Sequence, residues 1–387
     1  MKQLSSARSL IPESGIRKLA ELSALIPDAI HLEVGEPNVN TPEHIMEAAA
    51  VAAREGFTKY TPVPGYPTLR KAIKEDLHAR YNLNVSMDEI VVTSGSVMAL
   101  SASLLAIADV GDEILVPDPA WPVYEMILRV QQCVPVPYVL KAEEGFIPDF
   151  EELEAKVTGR TKAIMINTPG NPTGGVFDEE TIKRLMEFAV KHDLYVISDE
   201  VYDSIIYEGT HITPKAYDTD GRVISIFGVS KKYAMTGWRL GYSIANKEIS
   251  ALMIKIMITL VGNAPSTSQK AAEAALTGPQ EFVEEMRLSY QSRRDRAYAM
   301  LVQEKIKCYP NKGAFYMLID ISETGMTSDD FALTLLSEEK VAVAPGSTFG
   351  VSSQNMVRIS LATEETALLE GVRRICAFIA KNRKSSL

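Results

Sequence analysis

Lys231 and Arg239 stand eight residues apart in Gly228-Val229-Ser230-Lys231-Lys232-Tyr233-Ala234-Met235-Thr236-Gly237-Trp238-Arg239-Leu240-Gly241-Tyr242, a run too rich in serine, glycine and aromatics to be ordinary solvated surface. Lysine is the side chain that holds an aldehyde as a Schiff base, and arginine is the bidentate partner of a phosphate. Together they point to a phosphorylated aldehyde cofactor, pyridoxal 5'-phosphate. Such a cofactor asks five things of a protein: a lysine, a phosphate cradle, a partner for its pyridine nitrogen, a face to stack on, and an anchor for the substrate carboxylate.

The chain offers candidates for the other four. Ser94-Gly95-Ser96 falls between an apolar run and a helix pattern, where the backbone N–H groups of Gly95, Ser96 and Val97 would form an anion site at a helix N-terminus. By itself the segment reads more readily as an N-cap with a tight turn. Asp199 closes the run Leu194-Tyr195-Val196-Ile197-Ser198-Asp199 and suits either a pyridine nitrogen or a helix cap. Tyr202 shares its face if a helical turn follows. Trp121, one of two tryptophans, is a stacking face or a core aromatic. Asn171 lies in Asn167-Thr168-Pro169-Gly170-Asn171-Pro172-Thr173-Gly174-Gly175, a turn on any reading. Arg358 sits inside the apolar Met356-Val357-Arg358-Ile359-Ser360, where burial is costly without an anion and none is near in sequence. Gly35, in Glu33-Val34-Gly35-Glu36-Pro37, reads as a turn glycine.

In type and order these motifs resemble those of the class I and II aminotransferases, the aspartate aminotransferase-like branch of fold type I pyridoxal phosphate enzymes, over residues 33–360. The resemblance implies that Lys231, rather than Lys232, carries the cofactor as an aldimine. It gives the phosphate to Gly95, Ser96, Val97 and Arg239, the pyridine nitrogen to Asp199 and the ring stack to Trp121, with Ser230 also binding the cofactor. Tyr202 would donate to the cofactor's O3', and Asn171 would lie between O3' and the substrate carboxylate. Arg358 would clamp that carboxylate, with Gly35 approaching through its backbone. Tyr60, five residues before Gly65, would reach the phosphate of a neighbouring subunit, which implies a homodimer with shared sites. The implied reaction is ping-pong transfer of an amino group from an L-amino acid to a 2-oxo acid such as 2-oxoglutarate, with Lys231 moving the proton. The donor is aspartate, an aromatic or another neutral amino acid; the want of a basic residue near Val97 weighs against strict aspartate use. The same fold and lysine support carbon–sulfur β-elimination. A pyridoxal phosphate-binding regulator would need a DNA-binding domain ahead of a match that begins near Glu13. A nicotinamide dehydrogenase would need a Gly-x-Gly-x-x-Gly after an early strand, and the chain has none.

These residues need a scaffold. At 387 residues, 46% hydrophobic and 23% charged, the chain fits a large globular domain plus a smaller one. A net charge of −10 with no Lys/Arg block argues against nucleic acid. Cys133, Cys308 and Cys376 are widely spaced, have no metal-like pattern and read as reduced thiols of a cytoplasmic protein. Residues 1–14 lack the apolar core of a signal peptide, and Ser385-Ser386-Leu387 only partly resembles a peroxisomal address. The most apolar run, Ala251 to Val261, is too short to span a membrane and is expected to be a buried helix.

Short apolar runs at 89–93, 113–117, 161–167, 194–199 and 222–227, separated by helix patterns, predict an α/β fold with a mostly parallel sheet covered on both faces. Ser94, Asn167, Asp199 and Gly228 then gather at the carboxyl ends of its strands, where open α/β sheets bind ligands. Past Gly278 a long charged helix at 282–306, a strand at 315–319, a helix at 329–338, and strands at 341–344 and 356–360 predict a smaller α+β domain. The expected division is 41–285 for the large domain and 286–387 for the small one, which residues 1–40 join by the family resemblance.

Overall fold

A computed structural model describes residue 5, residues 8–12 and residues 15–384; Glu13 and the Ser385–Leu387 triplet lie outside them. In chain order the strands are β1 (Ile30–His31), β2 (Ile90–Thr93), β3 (Glu113–Asp118), β4 (Val134–Val139), β5 (Thr161–Asn167), β6 (Tyr195–Asp199), β7 (Val223–Gly228), β8 (Gly241–Ile244), β9 (Cys308–Tyr309), β10 (Tyr316–Asp320), β11 (Val341–Ala342), β12 (Ala344–Pro345) and β13 (Met356–Ser360). Seven form one sheet in the order β2-β8-β7-β6-β5-β3-β4. From β4 to β7 every pairing is parallel, and β8 runs antiparallel to both β7 and β2. Successive residues of these strands feed two cores, as a period of two requires. Ile114, Met165, Ile197 and Ile224 pack on one face, whereas Leu115, Ile164, Val196 and Val223 pack on the other. Burial on both faces is why the strands read as unbroken apolar runs.

Two strands of this sheet escape the sequence pattern. β4 is Val-Pro-Val-Pro-Tyr-Val, and prolines cannot donate to a ladder. It survives because it is an edge strand, paired only with β3. β8 hides directly behind the lysine–arginine run. Its Gly241 leaves no room for a side chain, since a Cβ there would stand 2.7 Å from Ser96 N. One expectation is corrected. The helix Lys247–Leu260 buries Ile249, Met253 and Met257, four residues apart, but Leu252, Ile258 and Leu260 are 41%, 58% and 50% exposed. It is amphipathic in placement, with a second apolar face left open.

The C-terminal third builds an antiparallel sheet in the order β12-β13-β10-β9. The stretch expected as one strand at 341–344 divides: β11 pairs with β1, and β12 pairs with β13. The parallel pairing of β1 with β11 brings residues 30–36 alongside this region and sets Gly35 near β10 and β13. Position 286 falls inside the continuous helix Glu281–Gln303 rather than in a linker. The final helix, Glu365–Asn382, packs on it and buries Leu368, Val372, Ile375 and Ile379, the one-face spacing of an amphipathic helix. Among the described residues no helix is long and apolar enough to cross a membrane.

Gly346 follows β12 where two carbonyls crowd it; a Cβ there would overlap Ser353 O and Met356 O. Backbone cannot yield as a side chain can. Gly346→Ala should therefore lower unfolding free energy by about 1–3 kcal/mol, read by chemical denaturation; an unchanged midpoint would mean that the 346–353 loop moves freely.

Candidate active site

The parallel pairing of β5, β6 and β7 delivers Asn167, Asp199 and Gly228 to one edge of the sheet. Asp199 is buried, and Tyr124 Oη donates to its Oδ2 at 2.7 Å. Burial raises its pKa to about 6, although the Tyr124 hydrogen bond opposes the shift. Asn167 clamps the turn that follows β5: its Nδ2 donates to Asp199 O at 2.9 Å, and its Oδ1 accepts from Asn171 N at 2.7 Å. That bond aims Asn171 at Arg358, whose Nη1 donates to Asn171 Oδ1 at 2.9 Å.

Arg358 is 1% exposed and held entirely by neutral groups. Its Nη2 donates to Glu33 O, its Cζ lies 4.3 Å from the Tyr316 ring centre and 4.8 Å from that of Phe349, and its Nε is buried without a partner. Among the described residues no carboxylate lies within ion-pair distance of it. A buried guanidinium with acceptors but no anion is an arrangement suited to a carboxylate ligand.

Lys231 and Lys232 are neighbours with opposite surroundings. Lys232 is buried against Asp76, 3.3 Å from its Oδ1, in a cluster with Arg80, Tyr81 and Asp203. Lys231 faces the cavity instead and donates to Gly35 O at 2.7 Å. Burial lowers its pKa from 10.5 to about 8; Glu36 opposes the shift, while Arg358 and Arg239 add to it. A lysine in that state holds a usable amine fraction near neutral pH.

Arg239 takes a left-handed backbone with φ 53°, and its Nη1 donates to Thr236 O at 3.0 Å. Its guanidinium lies over Gly95, where a Cβ would stand 2.5 Å from Nη2. Gly95 has φ 84° and caps the helix Ser96–Ile107, so the lack of a side chain serves both conformation and contact. Its own N–H is spent on Thr93 O at 2.8 Å, which corrects the expectation that it is a free donor. The first-turn N–H groups of Ser96 and Val97 remain for an anion beside Arg239.

Gly35, Ser96, Val97, Trp121, Asn171, Asp199, Tyr202, Ser230, Lys231, Arg239 and Arg358 all line one cavity of about 300 Å³, with Gly95 directly behind Arg239. Tyr60 does not: it is 95% exposed, in a separate hollow with Val261, Asn263 and Pro265. Two tyrosines that the sequence analysis does not single out join the site. Tyr124 holds Asp199, and Tyr316 Oη lies 2.9 Å from Tyr202 Oη. Tyr124 follows Trp121 by three residues on the helix Val123–Gln131, a spacing that could have drawn attention to it. Tyr316 lies in an apolar strand and is indistinguishable there from core.

Over residues 27–375 the chain matches the family Aminotransferase class I and II. It belongs to that family. This aminotransferase is 40% identical over 367 residues to a probable aspartate/prephenate aminotransferase of Aquifex aeolicus, covering 92% of this chain and 93% of the other. In structure it resembles an aspartate aminotransferase from Thermus thermophilus with maleate, with TM-score 0.93, 36% identity and coverage of 97% and 100%. An aromatic aminotransferase from Pyrococcus horikoshii gives TM-score 0.89, 37% identity and coverage of 94% and 99%. The chain is thus a transaminase with the α/β fold of these proteins, in a family that uses pyridoxal phosphate.

Because burial depresses the Lys231 pKa, the unfolded chain holds that proton more tightly than the folded one does between about pH 8 and 10.5. The cost to folding is complete below pH 8 and vanishes above 10.5. Lys231→Met should accordingly stabilise the cofactor-free protein at pH 7 by up to about 3 kcal/mol, with the gain fading as pH rises through that window. Thermal melts of both proteins from pH 7 to 10.5 would check it; a pH-independent difference would mean that Lys231 is uncharged or well solvated.

Proposed function

We propose that this aminotransferase binds pyridoxal phosphate covalently at Lys231 and passes an amino group from an L-amino acid to a 2-oxo acid such as 2-oxoglutarate in two half-reactions. The observation that carries this reading is the cavity's set of cations, Lys231, Arg239 and Arg358, none within ion-pair distance of a carboxylate among the described residues. Arg239, Ser230 and the N–H groups of Ser96 and Val97 would hold the phosphate, and Asp199 the pyridine nitrogen. Trp121 would cover the ring, and Tyr202 with Asn171 would bind its phenolic oxygen. A bound pyridinium facing Asp199 would keep that carboxylate ionised at neutral pH despite its burial. The cofactor supplies an electron-withdrawing ring that acidifies the substrate Cα–H.

Lys231 Nζ, facing the cavity beside the place where Arg358 would hold the carboxylate, would take and return a proton at the substrate Cα. Arg358 fixes the α-carboxylate, so that Cα meets Lys231 at one face, and Asn171 and the Gly35 backbone close round the same group. The apolar part of the cavity lining includes Ile16, Val34 and Val97. With relatives named for aspartate, aspartate/prephenate and aromatic substrates, this lining favours neutral or aromatic donors over strict aspartate use.

The exposed Tyr60, in a hollow with the open apolar Val261, supports a homodimer in which this face is covered and Tyr60 reaches the partner's phosphate site. Free, widely spaced thiols support a cytoplasmic protein. The strand pairings support a large domain at 41–285 and a small one at 286–387 joined by 1–40.

The purified protein should be yellow. Its visible band should vanish in Lys231→Ala and persist in Lys232→Met, which instead loses roughly 1–3 kcal/mol of stability as Asp76 is left short of a partner. Borohydride reduction with peptide mapping checks the attachment, and label on Lys232 would refute it. Arg358→Lys keeps the charge and loses the fork, so kcat/KM should fall by a similar factor, on the order of 10²–10³, for acidic, aliphatic and aromatic donors. A defect confined to acidic donors would make Arg358 a reader of side chains.

A further inference from the structure

Tyr316, in β10, is 2% exposed and touches three parts of the site at once. Its ring supports the Arg358 guanidinium at 4.3 Å. Its hydroxyl lies 2.9 Å from that of Tyr202. A Cβ on Gly35 would overlap the same hydroxyl. The placement follows from register: Leu318 pairs with Arg358, so Tyr316, two residues away, shares Arg358's face of the sheet. The rings of Tyr202 and Tyr316 meet edge to face at 5.7 Å, and among the described residues each hydroxyl is the other's only hydrogen-bond partner. Either could donate. If Tyr202 commits its proton to the cofactor's phenolic oxygen, its own oxygen is left to accept, and Tyr316 is the donor.

We propose that Tyr316 is a positioning residue that donates a hydrogen bond to Tyr202 while its ring carries Arg358, so that one side chain sets both the phenolic-oxygen donor and the carboxylate clamp. The inference rests on the reading that Tyr202 donates to bound pyridoxal phosphate. The charged and titratable groups facing this pair are Arg358, Asp199, Tyr124 and Lys231, with Arg239 and Glu36 beyond Lys231. A hydrogen bond into the Tyr202 oxygen lets that oxygen bear more negative charge, which strengthens the proton it offers. A stronger donor at the phenolic oxygen weakens that oxygen's hold on the proton it shares with the lysine nitrogen. The proton then leaves at lower pH.

The test is a spectrophotometric pH titration of the lysine-bound cofactor band in the pyridoxal phosphate-loaded protein. Tyr316→Phe keeps the ring and should raise the midpoint by about 0.5–1 pH unit, the worth of one neutral hydrogen bond. Tyr202→Phe should raise it further, and the double variant should titrate like Tyr202→Phe alone, because Tyr316 acts through Tyr202. Gly35→Ala displaces the Tyr316 hydroxyl without deleting it and should also raise the midpoint, which keeps the test alive if Tyr316→Phe does not fold. Propionate, read by its effect on the same band, should bind Tyr316→Phe as it binds wild type. It should bind Tyr316→Leu about three- to thirty-fold more weakly, since that variant loses the ring under Arg358. An unmoved midpoint in Tyr316→Phe, or shifts that add in the double variant, would overturn the inference alone. A wild-type protein that takes up no pyridoxal phosphate, or a band indifferent to Tyr202, would overturn the functional reading and this inference with it.

Discussion

The site depends on keeping cations away from carboxylates. Lys232 and Arg80, just behind the cavity, are neutralised by Asp76 and Asp203. Lys231, Arg239 and Arg358 meet backbone carbonyls and an amide instead. The nearby acids are each diverted. Asp199 accepts from Tyr124, Glu36 from Thr236, and Glu33 turns its carboxylate to Ser23 and His31 while giving Arg358 only its carbonyl. A side-chain carboxylate in contact with any of the three cations would compete with the phosphate or the substrate for the same fork of donors.

That separation is a product of rigid backbone. Asp199 ends β6, and Lys231 follows the end of β7, so their spacing is set by a ladder that burial on both faces makes hard to distort. Arg358 belongs to a different sheet and is joined to Asp199 by a relay of hydrogen bonds through uncharged groups, from Asp199 O through Asn167 and Asn171 to the guanidinium. The turn carrying Asn171 is thus the joint between the two sheets as well as a wall of the cavity.

Much of this was legible from the chain, for identifiable reasons. Strands buried on both faces produce unbroken apolar runs, so β3, β5, β6 and β7 and the residues at their ends could be read directly. β4 could not, because Pro135 and Pro137 contradict strand propensity, and only its edge position removes the contradiction. Arg358 stood out because an arginine in an apolar strand demands an explanation. Tyr316, on the neighbouring strand, demanded none, since a tyrosine there satisfies ordinary packing and its contact with Tyr202 depends on tertiary pairing. The Gly95 N–H is not free, because its bond to Thr93 O closes a turn that helix periodicity does not reveal. Tyr60 was singled out by family likeness, and within one chain it meets solvent.

The unpaired charges also bear on stability. Burial pushes Asp199 up to about 6 and Lys231 down to about 8, in both cases away from the charged form. Arg358 is moved the same way by burial, yet an arginine cannot shed its proton, so the whole penalty stays in the fold. The scaffold tolerates it because the cores on both sides of the large sheet and around β10 and β13 are closely filled. An anionic cofactor and a carboxylate substrate each supply counter-charge that the protein withholds from itself. Binding therefore returns part of the free energy that folding surrenders, and ligand affinity and folding stability become linked through Lys231 and Arg358. A carboxylate inserted beside Arg358 would neutralise the guanidinium by the same contact that blocks its substrate.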